Sequence, residues 1–147
     1  MKTNLHRIQA LLYDIKRNSL ELESLLSRNE DYSILKDQII LKAIKYIIIE
    51  IAEAIANILQ HILARGMGRP VAGYLDTLLK AKENGIISSQ LFLTLKPFFE
   101  FRNALVHRYW NIDDNLFLKN LRSGYKDFQV FVEEIEKQIE KDRLKTP

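Results

Sequence analysis

The spacing of apolar residues is the feature that most constrains the fold of this chain. In two long segments they recur at alternating steps of three and four, the period that brings one side of an α-helix to a single buried face. The scarcity of interruptions, five glycines and three prolines, favours long helices over short strands. The stripe in 4–28 is Leu5, Ile8, Leu12, Ile15, Leu22 and Leu26, with Ser19 in the missing place. The stripe in the last segment is Leu118, Leu121, Tyr125, Phe128, Val132, Ile135 and Ile139.

A third segment, about 33–63, is apolar around most of its circumference. Its polar residues share one arc of about 140° on a helix. A helix with so narrow a polar stripe lies either at the centre of a bundle or in a dimer interface. Four charges in its most apolar stretch argue against a membrane span. The polar residues are Lys42, Lys45, Glu50, Glu53, Asn57 and Gln60.

Turn and capping residues predict the remaining boundaries. A short third helix is expected over 71–83, followed by the Asn84-Gly85 turn. Further markers are Ser88 or Ser89 as the N-cap of a fourth helix, Pro97 as a kink or restart within it, and Asp113 as the N-cap of the last helix. The predicted fold is therefore all-α: one domain over residues 1–147, an antiparallel bundle of about five helices.

Composition limits the classes of function. Hydrophobic residues make up 47% and charged residues 28%, as in globular domains. The absence of cysteine excludes disulfides and thiol catalysis, and with three histidines we expect no metal site and no cofactor. The N-terminus shows no continuous apolar signal-peptide core, so we expect a cytoplasmic protein. A net charge of +3 is compatible with an RNA substrate but does not require one.

The segment 98–113, FFEFRNALVHRYWNID, concentrates the groups that can do chemistry. On an ideal helix Arg102 and Tyr109 lie about 20° apart, and Asn103 and His107 about 40° apart. RNA cleavage without metal needs a base for the 2′-hydroxyl proton, an acid for the leaving oxygen and a cation on the phosphate. Histidine and arginine are suited to these roles. The spacing alone, however, favours a structural, hydrogen-bonded His107.

The same segment resembles the defining motif of the HEPN superfamily, R-x4-6-H, in the form R-N-x-x-x-H-x-Y. Arg102, Asn103, His107 and Tyr109 occupy every named place. The flanking residues resemble HepT-type sequences, and LKAIKYIIIEIAEAIANI is similar to the long second helix of that family with its internal glutamate. The likeness extends over most of the chain in length, helix order and motif position.

This resemblance implies an all-α HEPN-like homodimer in which two motifs meet in a cleft at the subunit interface. It implies a metal-independent endoribonuclease toxin of a type VII toxin–antitoxin system, with Arg102 and His107 catalytic. It implies an antitoxin that is a minimal nucleotidyltransferase and adds AMP to Tyr109. The alternative is a non-catalytic binding or regulatory partner of a nucleotidyltransferase. A generic helical dimerisation module is a third interpretation.

Residues around the motif have two interpretations each. Asn103, Arg108 and Tyr109 are candidate RNA-binding residues. Arg108 and Trp110 suit RNA binding, by phosphate contact and base stacking, and equally suit dimer or partner contacts. Tyr109 also suits an ordinary packed aromatic. Elsewhere, the tyrosines in apolar patterns, which are Tyr46, Tyr74 and Tyr125, are predicted to be core or boundary residues. The carboxylates of Glu50 and Glu53 are predicted to solvate the second helix.

Overall fold

The structure, a computed structural model, describes residues 4–66, 71–107 and 112–145. Within these ranges the chain forms seven α-helices and no strand, which confirms the all-α prediction. The helices are α1 Leu5–Arg28, α2 Asp31–Lys36, α3 Gln38–His61, α4 Tyr74–Glu83, α5 Ser89–Val106, α6 Asp114–Gly124 and α7 Asp127–Lys145. A π-helical turn, Ile62–Gly66, follows α3.

Helix α3 occupies the centre of the bundle. It packs against α1, α2, α4 and α5, while α7 packs against α1 and α5. Eleven of its 24 residues are buried, and none of the six residues of the predicted polar arc is among them. The central-helix interpretation of this segment is thus confirmed by the protomer itself.

The predicted apolar stripes form the core. The stripe of α1 is buried from Ile8 to Leu26, although Asn18, rather than the half-buried Ser19, fills its missing place. Phe128, Val132 and Ile135 of the last stripe are buried, and Tyr125 and Ile139 pack against the core. Burial of these faces is the main favourable contribution to folding.

Two predicted helices are divided. The segment 33–63 was expected to be continuous, but the carboxylate of Asp37 accepts hydrogen bonds from the backbone N–H groups of Ile39 and Ile40, so it caps α3 and separates it from α2. The last helix breaks after Gly124. The Cα of Gly124 lies against the ring of Phe98, since a Cβ on this glycine would be 3.2 Å from Cε2 of that ring. Glycine both permits that close approach and weakens the helix.

Helix α5, in contrast, is not divided at its proline. Pro97 was expected to cause a kink or a restart. Helix α5 is one helix from Ser89 to Val106, so the restart is wrong and the kink stays a prediction. Ser88 caps it as predicted, and the carboxylate of Glu134 on α7 accepts hydrogen bonds from the Ser88 backbone and hydroxyl. Among the residues that the structure describes, no helix is long and apolar enough to cross a membrane.

Candidate active site

Helix α5 carries Arg102 to the edge of the core. Leu95, Phe98 and Phe99 are buried on one face of this helix. Arg102 continues that face one turn later, because residues three and four apart share a side of a helix. Its side chain retains only 14% of its accessible surface. The sequence thus places a cation where an apolar residue would otherwise be expected, which demands a compensating partner.

Three neighbours surround the Arg102 guanidinium. On α3, Oε1 of Glu53 lies 3.5 Å from both Nε and Nη2. On α4, the ring of Tyr74 lies beneath the guanidinium at 3.9 Å, and the Tyr74 hydroxyl accepts a hydrogen bond from Nη2 at 3.3 Å. Asn103 Oδ1 accepts from Nη1 at 3.4 Å. Arginine is therefore held by a carboxylate, an aromatic face and an amide.

These contacts orient the cation without saturating it. Charge-assisted hydrogen bonds of good geometry are about 2.7–2.9 Å long, whereas those of Arg102 are 3.3–3.5 Å. Within the described part of the chain its Nε is buried and has no hydrogen-bond partner of acceptable geometry. Because that Nε is buried, the capacity left for an anion lies with the Nη groups, whose hydrogen bonds are long, and arginine is suited to bind two oxygens of a phosphate.

His107 lies at the end of α5 and is exposed. It is the C-cap residue, with φ −89° and ψ 6°, and its backbone N–H donates to the carbonyl of Asn103 at 3.0 Å. An ideal helix therefore does not extend from Arg102 to Tyr109, and the 20° relation between them does not follow from α5. Arg108, Tyr109 and Trp110 lie outside the described residues.

Two residues of this site were not identified as functional from the sequence. Glu53 was interpreted as a solvating charge and Tyr74 as a boundary aromatic, yet both contact Arg102 from 49 and 28 residues away. Glu53 had one usable signal, a charge on an otherwise apolar central helix. Tyr74 had none, because nothing local to it distinguishes it from other tyrosines in apolar patterns.

The histidine at the end of α3, His61, has a structural contact. Nε2 of His61 accepts a hydrogen bond from the backbone N–H of Asn4 at 3.1 Å. In the described ranges no group of three or more His, Asp or Glu side chains is arranged to hold a metal ion. The prediction of a metal-free site stays a prediction.

The fold and site together define a small helical-bundle protein with a clamped arginine and an exposed histidine at one helix end. Residues 15–135 match the family model described as ribonuclease HepT-like. The chain therefore belongs to the HepT-like family. A comparison with curated proteins gives no match.

Solved structures share the fold. A HEPN toxin of Shewanella oneidensis, described as tri-AMPylated and in complex with MNT antitoxin, has a TM-score of 0.79 at 21% identity, covering 88% of this chain and 96% of that one. A toxin–antitoxin structure with AMP-PNP has a TM-score of 0.78 at 20% identity, covering 89% and 98%. YutE of Bacillus subtilis, described as a cytosolic protein of unknown function, has a TM-score of 0.80 at 16% identity, covering 95% and 93%.

Proposed function

We propose that this chain is an endoribonuclease toxin that cleaves RNA without a metal ion. The observation that carries the proposal is the environment of Arg102 inside a HepT-like family match: a largely desolvated guanidinium, in contact with Glu53 and Tyr74, five residues before an exposed histidine. A protein that used this helix only for packing would have no need to bury a cation there.

The proposed reaction is transesterification. The 2′-hydroxyl oxygen attacks the adjacent phosphorus, a base takes the 2′ proton, and an acid protonates the 5′ oxygen as the P–O5′ bond breaks. The products are a 2′,3′-cyclic phosphate and a 5′-hydroxyl. Arg102 binds the phosphate while its negative charge grows, His107 transfers protons, and Asn103 contacts the substrate. Arg108 and Tyr109 are further substrate-binding candidates.

A homodimer completes this chemistry. One chain contributes one motif histidine, whereas the reaction needs both a base and an acid. A two-fold axis near the ends of two α5 helices brings two histidines and two arginines into one cleft. The exposure of Val106 and His107 at that helix end supports an interface there. The test is the oligomeric state: a monomer that cleaves RNA at the full rate contradicts this part of the proposal.

Control by an antitoxin is the remaining part of the proposal. The Shewanella oneidensis toxin of the same fold is described as tri-AMPylated and in complex with MNT antitoxin. We assign the AMP acceptor here to Tyr109, two residues after His107. An attached AMP brings a phosphate that pairs with Arg102 or Arg108 and an adenosine that occupies the space of a nucleotide. The test is to incubate the protein with ATP, Mg²⁺ and the nucleotidyltransferase encoded beside it, and to measure intact mass. Wild type should gain the mass of AMP and Tyr109→Phe should not.

The deciding experiment compares wild type with His107→Ala and Arg102→Ala. In a bacterium the wild type should arrest growth and degrade RNA, and both variants should do neither. With purified protein and an RNA oligonucleotide in EDTA, each substitution should lower the rate about 10²–10⁴-fold, and wild type should leave cyclic or 3′-phosphate ends. A tight complex with a nucleotidyltransferase and no cleavage by wild type would instead favour the non-catalytic partner.

A further inference from the structure

The aromatic face beneath Arg102 is the contact of this site that the proposed mechanism does not use. Tyr74 meets the guanidinium in two ways: its ring centroid lies 3.9 Å from Cζ, and its hydroxyl lies 3.3 Å from Nη2. The ring face and the hydroxyl contact two different parts of the guanidinium, Cζ and Nη2, and two contact points restrict its rotation more than one would. A long side chain with many rotamers is thereby limited to one orientation.

Tyr74 is itself firmly placed. It is the first residue of α4, and its ring and that of buried Phe99 on α5 form a T-shaped pair with centroids 6.4 Å apart and planes at 79°. That arrangement is favourable for aromatic pairs. Since Phe99 precedes Arg102 by one helical turn, the Tyr74 ring contacts two side chains of the same helix, with its face to Arg102.

The start of α4 is fixed by hydrogen bonds from two directions. Fully buried Thr77 donates to the carbonyl of Gly73 at 2.6 Å and accepts from Nε2 of Gln60 on α3 at 3.2 Å. Asp76 accepts from the backbone N–H of Ala72 at 2.8 Å. Gly73 has φ +110°, a conformation that other residues rarely adopt. The backbone that carries Tyr74 is thus held to the central helix.

Glu53 alone does not define the orientation of Arg102. Its carboxylate is 41% exposed and uses one oxygen, Oε1, for both Nε and Nη2. A single oxygen attracts the cation but leaves the tilt of the guanidinium plane undetermined. A phosphate that is to be bound by two N–H groups requires that plane to be set. The aromatic face supplies this restraint.

We infer that Tyr74 is a positioning residue for Arg102, holding the guanidinium plane in the orientation that receives the RNA phosphate. The inference rests on the proposed ribonuclease function. It gives Tyr74 no role of its own in proton transfer. It predicts that the ring matters more than the hydroxyl, and that Tyr74 acts only through Arg102.

The experiment uses the full-length chain with Tyr74→Phe, Tyr74→Leu and, as a matched control, Tyr13→Leu at a tyrosine of α1 that is 66% exposed. The first readout is the NMR resonances of the Arg102 side chain, which the ring current of Tyr74 shifts. Tyr74→Leu should abolish this shift, while Tyr74→Phe and Tyr13→Leu should preserve most of it. Circular dichroism and thermal unfolding establish that each variant is folded.

The second readout is RNA cleavage. Tyr74→Leu should lower kcat about 10- to 30-fold with little change in KM, the size expected for a desolvated cation–π contact. Tyr74→Phe, which loses one long hydrogen bond, should lose at most about fivefold. In an Arg102→Lys background Tyr74→Leu should lower kcat almost no further, because the effects of substitutions at residues that act as a unit are not additive.

Two results overturn the inference. One is an Arg102 resonance pattern that Tyr74→Leu leaves as in wild type, whatever happens to cleavage. The other is unchanged cleavage by Tyr74→Leu under conditions in which Arg102→Ala is inactive. If wild type cuts no RNA, the proposed function fails, and the resonances still decide whether Tyr74 orients Arg102.

Discussion

Substitution of Glu53 by glutamine tests the electrostatics of this site. The change keeps the size of the side chain and a hydrogen-bond acceptor but removes the negative charge beside Arg102. Because Arg102 stays largely desolvated, with 14% of its side chain exposed, it loses its carboxylate partner without regaining water. We therefore expect Glu53→Gln to lower the free energy of unfolding.

The magnitude follows from distance and exposure. Two unit charges 3.5 Å apart attract by about 1.2 kcal/mol at a dielectric constant of 80 and about 4.7 kcal/mol at an effective value of 20. Glu53 is 41% exposed, so the effective value lies toward the first limit. The expected loss is about 1–2 kcal/mol, between the values typical of exposed and of buried pairs.

The chain offers a matched control for this experiment. Glu136 on α7 and Lys16 on α1 form an ion pair of the same length, 3.5 Å, but with 50% and 45% of their side chains exposed. Glu136→Gln should change stability by no more than about 0.5 kcal/mol. Urea unfolding followed by circular dichroism at 222 nm measures both variants, at one protomer concentration because dimerisation would add to apparent stability.

A double-mutant cycle decides whether the stability lost in Glu53→Gln comes from the interaction of Glu53 with Arg102. Arg102→Met removes the cation, so Glu53→Gln should cost about 1 kcal/mol less in that background than in wild type. If the two single losses add in the double variant to within about 0.3 kcal/mol, the two side chains are not coupled and the description of Glu53 as the partner of Arg102 is wrong.

Three smaller predictions concern helix ends and pH. Gly73→Ala should cost about 1–3 kcal/mol in urea unfolding. The backbone φ is +110° there and, among the described residues, no neighbour lies within 4 Å of an added Cβ, so the expected cost is backbone strain. Asp113→Ala should cost about 1 kcal/mol, since Asp113 accepts the N–H groups of Asn115 and Leu116; an unchanged urea midpoint would contradict its capping role. The Ala72 N–H and the Lys80 ammonium lower the pKa of Asp76 below 3.8. The contribution of the ionised Asp76 carboxylate to the free energy of unfolding is therefore present above pH 3.8 and lost as the pH falls through the lowered pKa. Wild type and Asp76→Asn should accordingly differ in stability at neutral pH and converge in acid.

Helix type and core faces could be predicted from the sequence because they depend on local order along the chain. The stripe from Leu118 to Ile139 identified its buried face even though the helix breaks after Gly124. The break itself was not predicted, because it depends on a ring of α5 lying against the glycine. The caps at Ser88 and Asp113 were predicted because a cap is made within three residues.

The helical class, the buried faces and the motif Arg102-Asn103-His107 could be read from the amino-acid order alone, since these are properties of spacing along one segment. The proposed roles of those residues come from the family likeness. The surroundings of Arg102, in contrast, follow from the packing of separate helices. Glu53 and Tyr74 belong to α3 and α4, and their approach depends on how three helices pack, on the hydrogen bonds of Thr77 and on the start of α4 at Gly73. A side chain's electrostatic environment is set by distances through space, and periodicity along the chain carries no information about them.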